Sequence, residues 1–107
     1  MAWTDAKTLA SEWAEKNLPA DLRGHVVQLV SFESDGHSRF FYADRTAAFH
    51  AMVTSGIARI ARKRKARTNY ATITPAHYRD WLESHGKTDS DATRLAFIES
   101  CHVITKE

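Results

Sequence analysis

Apolar positions along this chain change their spacing several times, and each change marks an element. From Thr4 or Asp5, either of which suits a helix N-cap, Leu9 and Trp13 fall four apart with Ala6 and Ala10 beside them. That is one face of a helix, expected to stop before Pro19 because the residue preceding a proline avoids helical dihedrals. Trp3, just ahead of the cap, is placed to act as a hydrophobic staple. From His25 the chain reads Val26-Val27-Gln28-Leu29-Val30-Ser31-Phe32, largely apolar on both alternating faces, as in a strand covered on both sides. Ser34-Asp35-Gly36-His37 has the chemistry of a tight turn, and Arg39-Phe40-Phe41-Tyr42 reads as the returning strand of a hairpin.

A helical period takes over from about Thr46 into the low sixties. Phe49, Met52, Val53, Gly56, Ile57 and Ile60 form its apolar stripe, Ala51, Thr54, Ser55 and Ala58 form its back, and no charge occurs between Arg45 and Arg59. Such a helix is sandwiched within the domain or, as the alternative, offers its small-residue back to a second copy in a homodimer. Lys63 and Arg64 would continue onto the apolar side, so the helix is expected to end near Arg62 or to run out into solvent. Thr68 to Thr74 has strand chemistry. Thr74-Pro75 starts another helix, striped by Tyr78, Trp81, Leu82 and His85 and closed by Gly86. Asp89 or Ser90 caps a last short helix bearing Leu95 and Ile98, and His102-Val103-Ile104 is a short strand or a docked tail. The expected order is α-β-β-α-β-α-α. It describes a small two-layer α+β domain over residues 1–107, with a β-hairpin and a third strand packed against a central helix.

Composition agrees with one folded unit. The 107 residues are 43% hydrophobic and 26% charged, too apolar for intrinsic disorder and long enough to bury a core without a disulfide or a metal. Cys101 is the single cysteine, which fits a reducing compartment. The first residues show no basic segment followed by an apolar stretch, and no apolar run approaches the roughly 20 residues that cross a bilayer. A cytoplasmic address with no membrane partner is the expectation.

Charge changes the picture more. The overall charge of +2 hides three blocks: net −3 over 1–38, net +8 over 39–79, and net −3 over 80–107. Within the middle block Arg59, Arg62, Lys63, Arg64, Lys65 and Arg67 place six cations in nine residues with no acid among them. A helix C-terminus favours cations, but this number exceeds what the macrodipole needs. Lysine and arginine neutralise phosphates and release condensed counterions, and aromatics beside such a surface stack on exposed bases. Tyr70 and Tyr78 are the nearby candidates, and Arg39, Arg45 and Arg79 would enlarge the patch if the fold brings them round. The expected partner is therefore a nucleic acid held along its phosphate backbone, without base specificity, by Arg59, Arg62, Lys63, Arg64, Lys65, Arg67 and Tyr70. An adaptor, inhibitor or assembly subunit docking on an acidic protein surface is the alternative, and the acidic flanks folding back on the basic middle is the plain structural one.

Catalytic signals are weaker. The six histidines show no HExxH, CxxC or HxH spacing, so neither a metal nor another cofactor is expected. His50, Arg45, Tyr42 and His77 supply the residue types of a small metal-independent ribonuclease, a third reading that requires them to converge. Cys101 lacks any motif that would activate it, there is no GxSxG elbow, and four scattered glycines make no phosphate loop. Trp3, Trp13 and Trp81 are expected to be core or interface anchors.

Overall fold

In the computed structural model, which describes residues 2–107 with side chains from Thr4 onward, the chain folds as a small α+β domain. Among the described residues five helices pack around a three-stranded mixed sheet: α1 (Ala2–Asn17), β1 (His25–Ser31), α2 (Asp35–Phe41), α3 (Ala47–Lys63), β2 (Arg67–Thr72), α4 (Pro75–His85), α5 (Asp91–Ser100) and β3 (Val103–Lys106). The sheet order is β2-β1-β3, with β1 parallel to β2 and antiparallel to β3. No described helix is long and apolar enough to cross a membrane.

The central strand is β1, and Val27, Leu29 and Val30 are fully buried as its two-sided apolar text requires. Val27 and Leu29 join one core with α1 and α3, whereas Val30 joins a second core with Phe41, Tyr78, Phe97 and Ile98. Its partners, however, are not the ones expected. The segment read as a hairpin turn and returning strand is the helix α2. Ser34 is its N-cap, with Oγ accepting from the amide of His37 at 3.2 Å, and Asp35 sits in its first turn and accepts from the amide of Ala47 at 2.9 Å. Serine and aspartate serve turns and helix caps alike, so the local chemistry does not separate the two. Packing decides it, because a helix delivers Phe40 and Phe41 edge-on to Tyr78, with centroids at 5.7 and 5.9 Å. The strand positions beside β1 go instead to β2 and to the tail, which is strand β3.

The remaining elements follow the periodicity closely. Thr74 caps α4 in a reciprocal capping box with His77, and Gly86 closes it in the left-handed region at φ 60°. Ser90 caps α5. Helix α1 begins at Ala2, ahead of the expected cap at Thr4 or Asp5, and the staple assigned to Trp3 lies outside the described side chains.

Helix α3 packs against both α1 and β1. Val53 and Ile57 of its stripe are buried, and so are Thr54 and Ala58 of its small-residue back, whereas Ala51 and Ser55 are exposed. Half of that back is thus consumed within the domain. The α1–α3 contact is close: a Cβ built on Gly56 would lie 2.8 Å from the Cβ of Ala10, nearer than real methyl groups approach. Gly56→Val is therefore expected to lower stability by about 2 kcal/mol or more through overpacking, read as a fall in Tm. In a double-mutant cycle Gly56→Ala and Ala10→Gly should show positive coupling, since the second change restores the missing space.

Candidate functional site

The basic run lies where α3 stops. Arg62 and Lys63 occupy its last turn, and Arg64 is its C-cap. The amide of Lys65 donates to the Arg62 carbonyl and that of Ala66 to the Ala61 carbonyl, each at 3.0 Å, which is the double-bonded Schellman ending. Lys65 fills the left-handed position at φ 77° that glycine usually takes. The buried Ala66 then turns the chain into β2, so Lys63 stays in solvent and does not continue onto the apolar side.

The expected contact residues divide by role. Arg64 is a tether: its Nη1 donates to the carbonyls of Leu18 (2.9 Å) and Pro19 (3.5 Å), and its own carbonyl accepts from the amide of Leu22 at 2.7 Å. Arg67 pairs with Glu107 at 3.1 Å, an exposed contact worth at most about 1 kcal/mol. Arg59, Arg62, Lys63 and Lys65 are exposed. Nη1 of Arg62 donates to the Thr68 hydroxyl at 3.3 Å, which holds this arginine beside β2. Two residues on, along the same face of that edge strand, Tyr70 is 49% exposed. Tyr78 is different. It is 1% exposed and donates to Asp89 at 2.7 Å, so it cannot stack on a ligand. Asp89 in turn takes two hydrogen bonds from Arg94, which with Tyr78 hold its carboxyl down at about 2. That acid is therefore committed within its own flank.

Arg39 and Arg79 lie on α2 and α4, and Arg45 stands at the opposite end of α3, about 25 Å along the helix axis from Arg62. There it meets a second assembly, a cleft of about 690 Å³ walled by α1, α3, α5 and the α2–α3 connection. Three of the four residues considered for ribonuclease chemistry, Tyr42, Arg45 and His50, come together in it. The fourth, His77, is occupied in the α4 capping box.

His50 is 1% exposed and its partners define its tautomer. The Val30 carbonyl, 2.9 Å from Nε2, can only accept, and the Arg45 guanidinium, 3.2 Å from Nδ1, can only donate. The ring is thus neutral with Nε2 protonated, and both nitrogens are engaged. Burial and the neighbouring Arg45 charge push its pKa down to about 4. It has no lone pair left for a general base, which removes the central residue from the ribonuclease reading. Its geometry instead fixes Arg45, whose guanidinium also lies 4.1 Å over the Tyr42 ring. The Tyr42 hydroxyl donates to Oε2 of Glu99, and burial with that carboxylate's charge pushes the phenol well above its usual range. The Trp13 indole donates to Oε1 of Glu99 at 3.3 Å. His102 gives its Nδ1 proton to the Ile98 carbonyl at 3.2 Å, and burial lowers its pKa.

Tyr42, Arg45 and His50 stand out in the sequence by residue type, whereas Glu99, Trp13 and His102 become their neighbours only in the fold. The signal is absent from local spacing, because α1 and the α5–β3 junction reach the cleft only through tertiary packing. Among the described residues no group of three or more His, Cys, Asp or Glu is placed to hold a metal ion. No protein family, curated protein or solved structure matches the chain.

The His50 environment sets a pH dependence. Its folded pKa of about 4 lies below the unfolded value of 6.5, so between these values the unfolded chain binds more protons. Stability is expected to fall as pH drops from 6.5 through 4, by roughly 3 kcal/mol for this group, with His102 adding in the same direction. Chemical denaturation across that range should show the slope, and His50→Gln should flatten it.

Proposed function

We propose that the chain is a nucleic-acid-binding accessory protein that grips the phosphate backbone with the end of α3 and the flank of β2, without reading base sequence. The observation that carries this is the shared flank: Arg62, Lys63 and Lys65 are exposed at the helix end, Arg62 is held against β2, and Tyr70 stands half-exposed on the same strand. Cations at that density bind phosphates by counterion release, and a tyrosine beside them offers a sequence-tolerant stacking surface. The cytoplasm, where Cys101 would stay reduced, is the compartment that suits this role.

Support also comes from the backbone. A lysine at φ 77° costs about 1 kcal/mol that glycine would not. Lys65→Gly is expected to raise stability by about that amount while weakening polyanion binding. A variant in which binding is unchanged would remove Lys65 from the contact set.

Fluorescence anisotropy with short single-stranded RNA and DNA at low and moderate salt tests the reading directly. Affinity should fall steeply with salt. Replacing Arg62, Lys63 and Lys65 by alanine should reduce the salt slope by about 2 for single strands. Tyr70→Ala should cost about 1–3 kcal/mol without changing that slope. Arg64 stays out of this series, because its loss would free the Leu18–Leu22 loop. Absence of binding at low salt overturns the proposal and leaves an acidic protein surface as the partner for the same cations.

A further inference from the structure

The cleft at the other end of α3 keeps one fixed cation and one fixed anion apart. Arg45 is partly buried, stacked on Tyr42 and anchored by the neutral His50, and among the described residues it forms no ion pair. Glu99 is the carboxylate that shares Tyr42 with it. Both of its oxygens are held elsewhere, one by the Trp13 indole and one by the Tyr42 hydroxyl. The tyrosine thus separates the two charges, its ring face against the guanidinium and its hydroxyl against the carboxylate. Glu12 and Lys16, one turn apart on α1 in the cleft wall, carry opposite charges and add none to the cleft in sum. The rest of the lining is mixed, with Leu9, Val53, Ile57, Leu95 and the Trp13 ring as its apolar part and Asn17, Thr54 and His102 as its polar part.

Each feature restricts the occupant. Arg45 has used one donor on His50, and the rest of its planar fork matches a carboxylate. Each Glu99 oxygen has taken one hydrogen bond and retains lone pairs for an ammonium group. A ligand carrying only negative charge would meet Glu99, and one carrying only positive charge would meet Arg45. A zwitterion uses both groups. The cleft volume of about 690 Å³ leaves room beyond the charged head for a bulky apolar group, within the usual range of small-molecule sites.

We propose that this cleft binds a free α-amino acid with a large apolar side chain, its carboxylate on Arg45, its ammonium on Glu99 and its side chain against Trp13 and the apolar part of the lining. This site is independent of the nucleic-acid reading, since it lies at the far end of α3 and uses none of the same residues.

Calorimetric titration with L-phenylalanine, L-leucine, glycine, phenethylamine and N-acetyl-L-phenylalanine tests it. Phenylalanine or leucine should saturate the protein. Removing the carboxylate (phenethylamine) or the ammonium charge (N-acetyl-phenylalanine) should weaken binding roughly 10- to 100-fold relative to phenylalanine, as losing a charged hydrogen-bonded partner does. Glycine should bind weakly for want of a side chain. Arg45→Gln should weaken phenylalanine by a similar factor without weakening phenethylamine, and Glu99→Gln should weaken phenylalanine and phenethylamine without weakening N-acetyl-phenylalanine. Equal binding of phenylalanine and phenethylamine, glycine binding as well as phenylalanine, or no saturation by phenylalanine or leucine at millimolar concentration would each overturn the proposal. If Arg45→Gln does not fold, the ligand series on the unaltered protein decides alone.

Discussion

Ala10 and Gly56 meet so closely that a methyl on Gly56 would stand 2.8 Å from that of Ala10, and the rest of the domain depends on this approach. It seats α3 directly against α1, while Val53, Ile57, Ala58 and Ala61 share a core with Val27 and Leu29 of the central strand. A helix held on two sides cannot slide or rotate without opening a cavity in a densely packed interior. Its two ends are therefore fixed points, and the candidate sites are built on them.

At the N-terminal end, fixation produces a rigid polar assembly. His50 is locked by Val30 on the central strand and passes that rigidity to Arg45. Burial that disfavours a charged imidazole also makes His50 a pure acceptor for the guanidinium at its Nδ1, so an otherwise costly buried polar group is fully satisfied. At the C-terminal end, the Schellman ending and the Arg64 tether turn the chain sharply into β2. That turn sends Lys63 and Lys65 outward and sets Arg62 beside the edge strand. One cation of the run is thereby spent on structure, and the local accumulation of charge is left to its neighbours.

How far all this was legible depends on whether the deciding interactions are local. The periodicity of 49–60, the Thr74-Pro75 start and the Gly86 stop depend on contacts within one or two turns, and they appear where the spacing puts them. The segment 34–42 fails because Ser34 and Asp35 suit a hairpin turn and a helix cap equally. Only the aromatic cluster with Tyr78 and Phe97, distant in sequence, chooses between them. Tyr78 is the matching case for function: beside a basic run it reads as a stacking surface, and in the fold it is a core residue bonded to Asp89.

The sequence by itself determined an α+β domain with a central helix uncharged between Arg45 and Arg59 and ending in a dense basic run, because hydrophobic period, capping chemistry and charge count are properties of neighbouring residues. Tertiary structure alone decided which strands flank β1, which of the six cations is consumed as a tether, and that Trp13, Tyr42, Arg45, His50, Glu99 and His102 surround one cleft. Those outcomes rest on contacts between segments up to about 90 residues apart, whose energies come from burial and from partners that no local window contains.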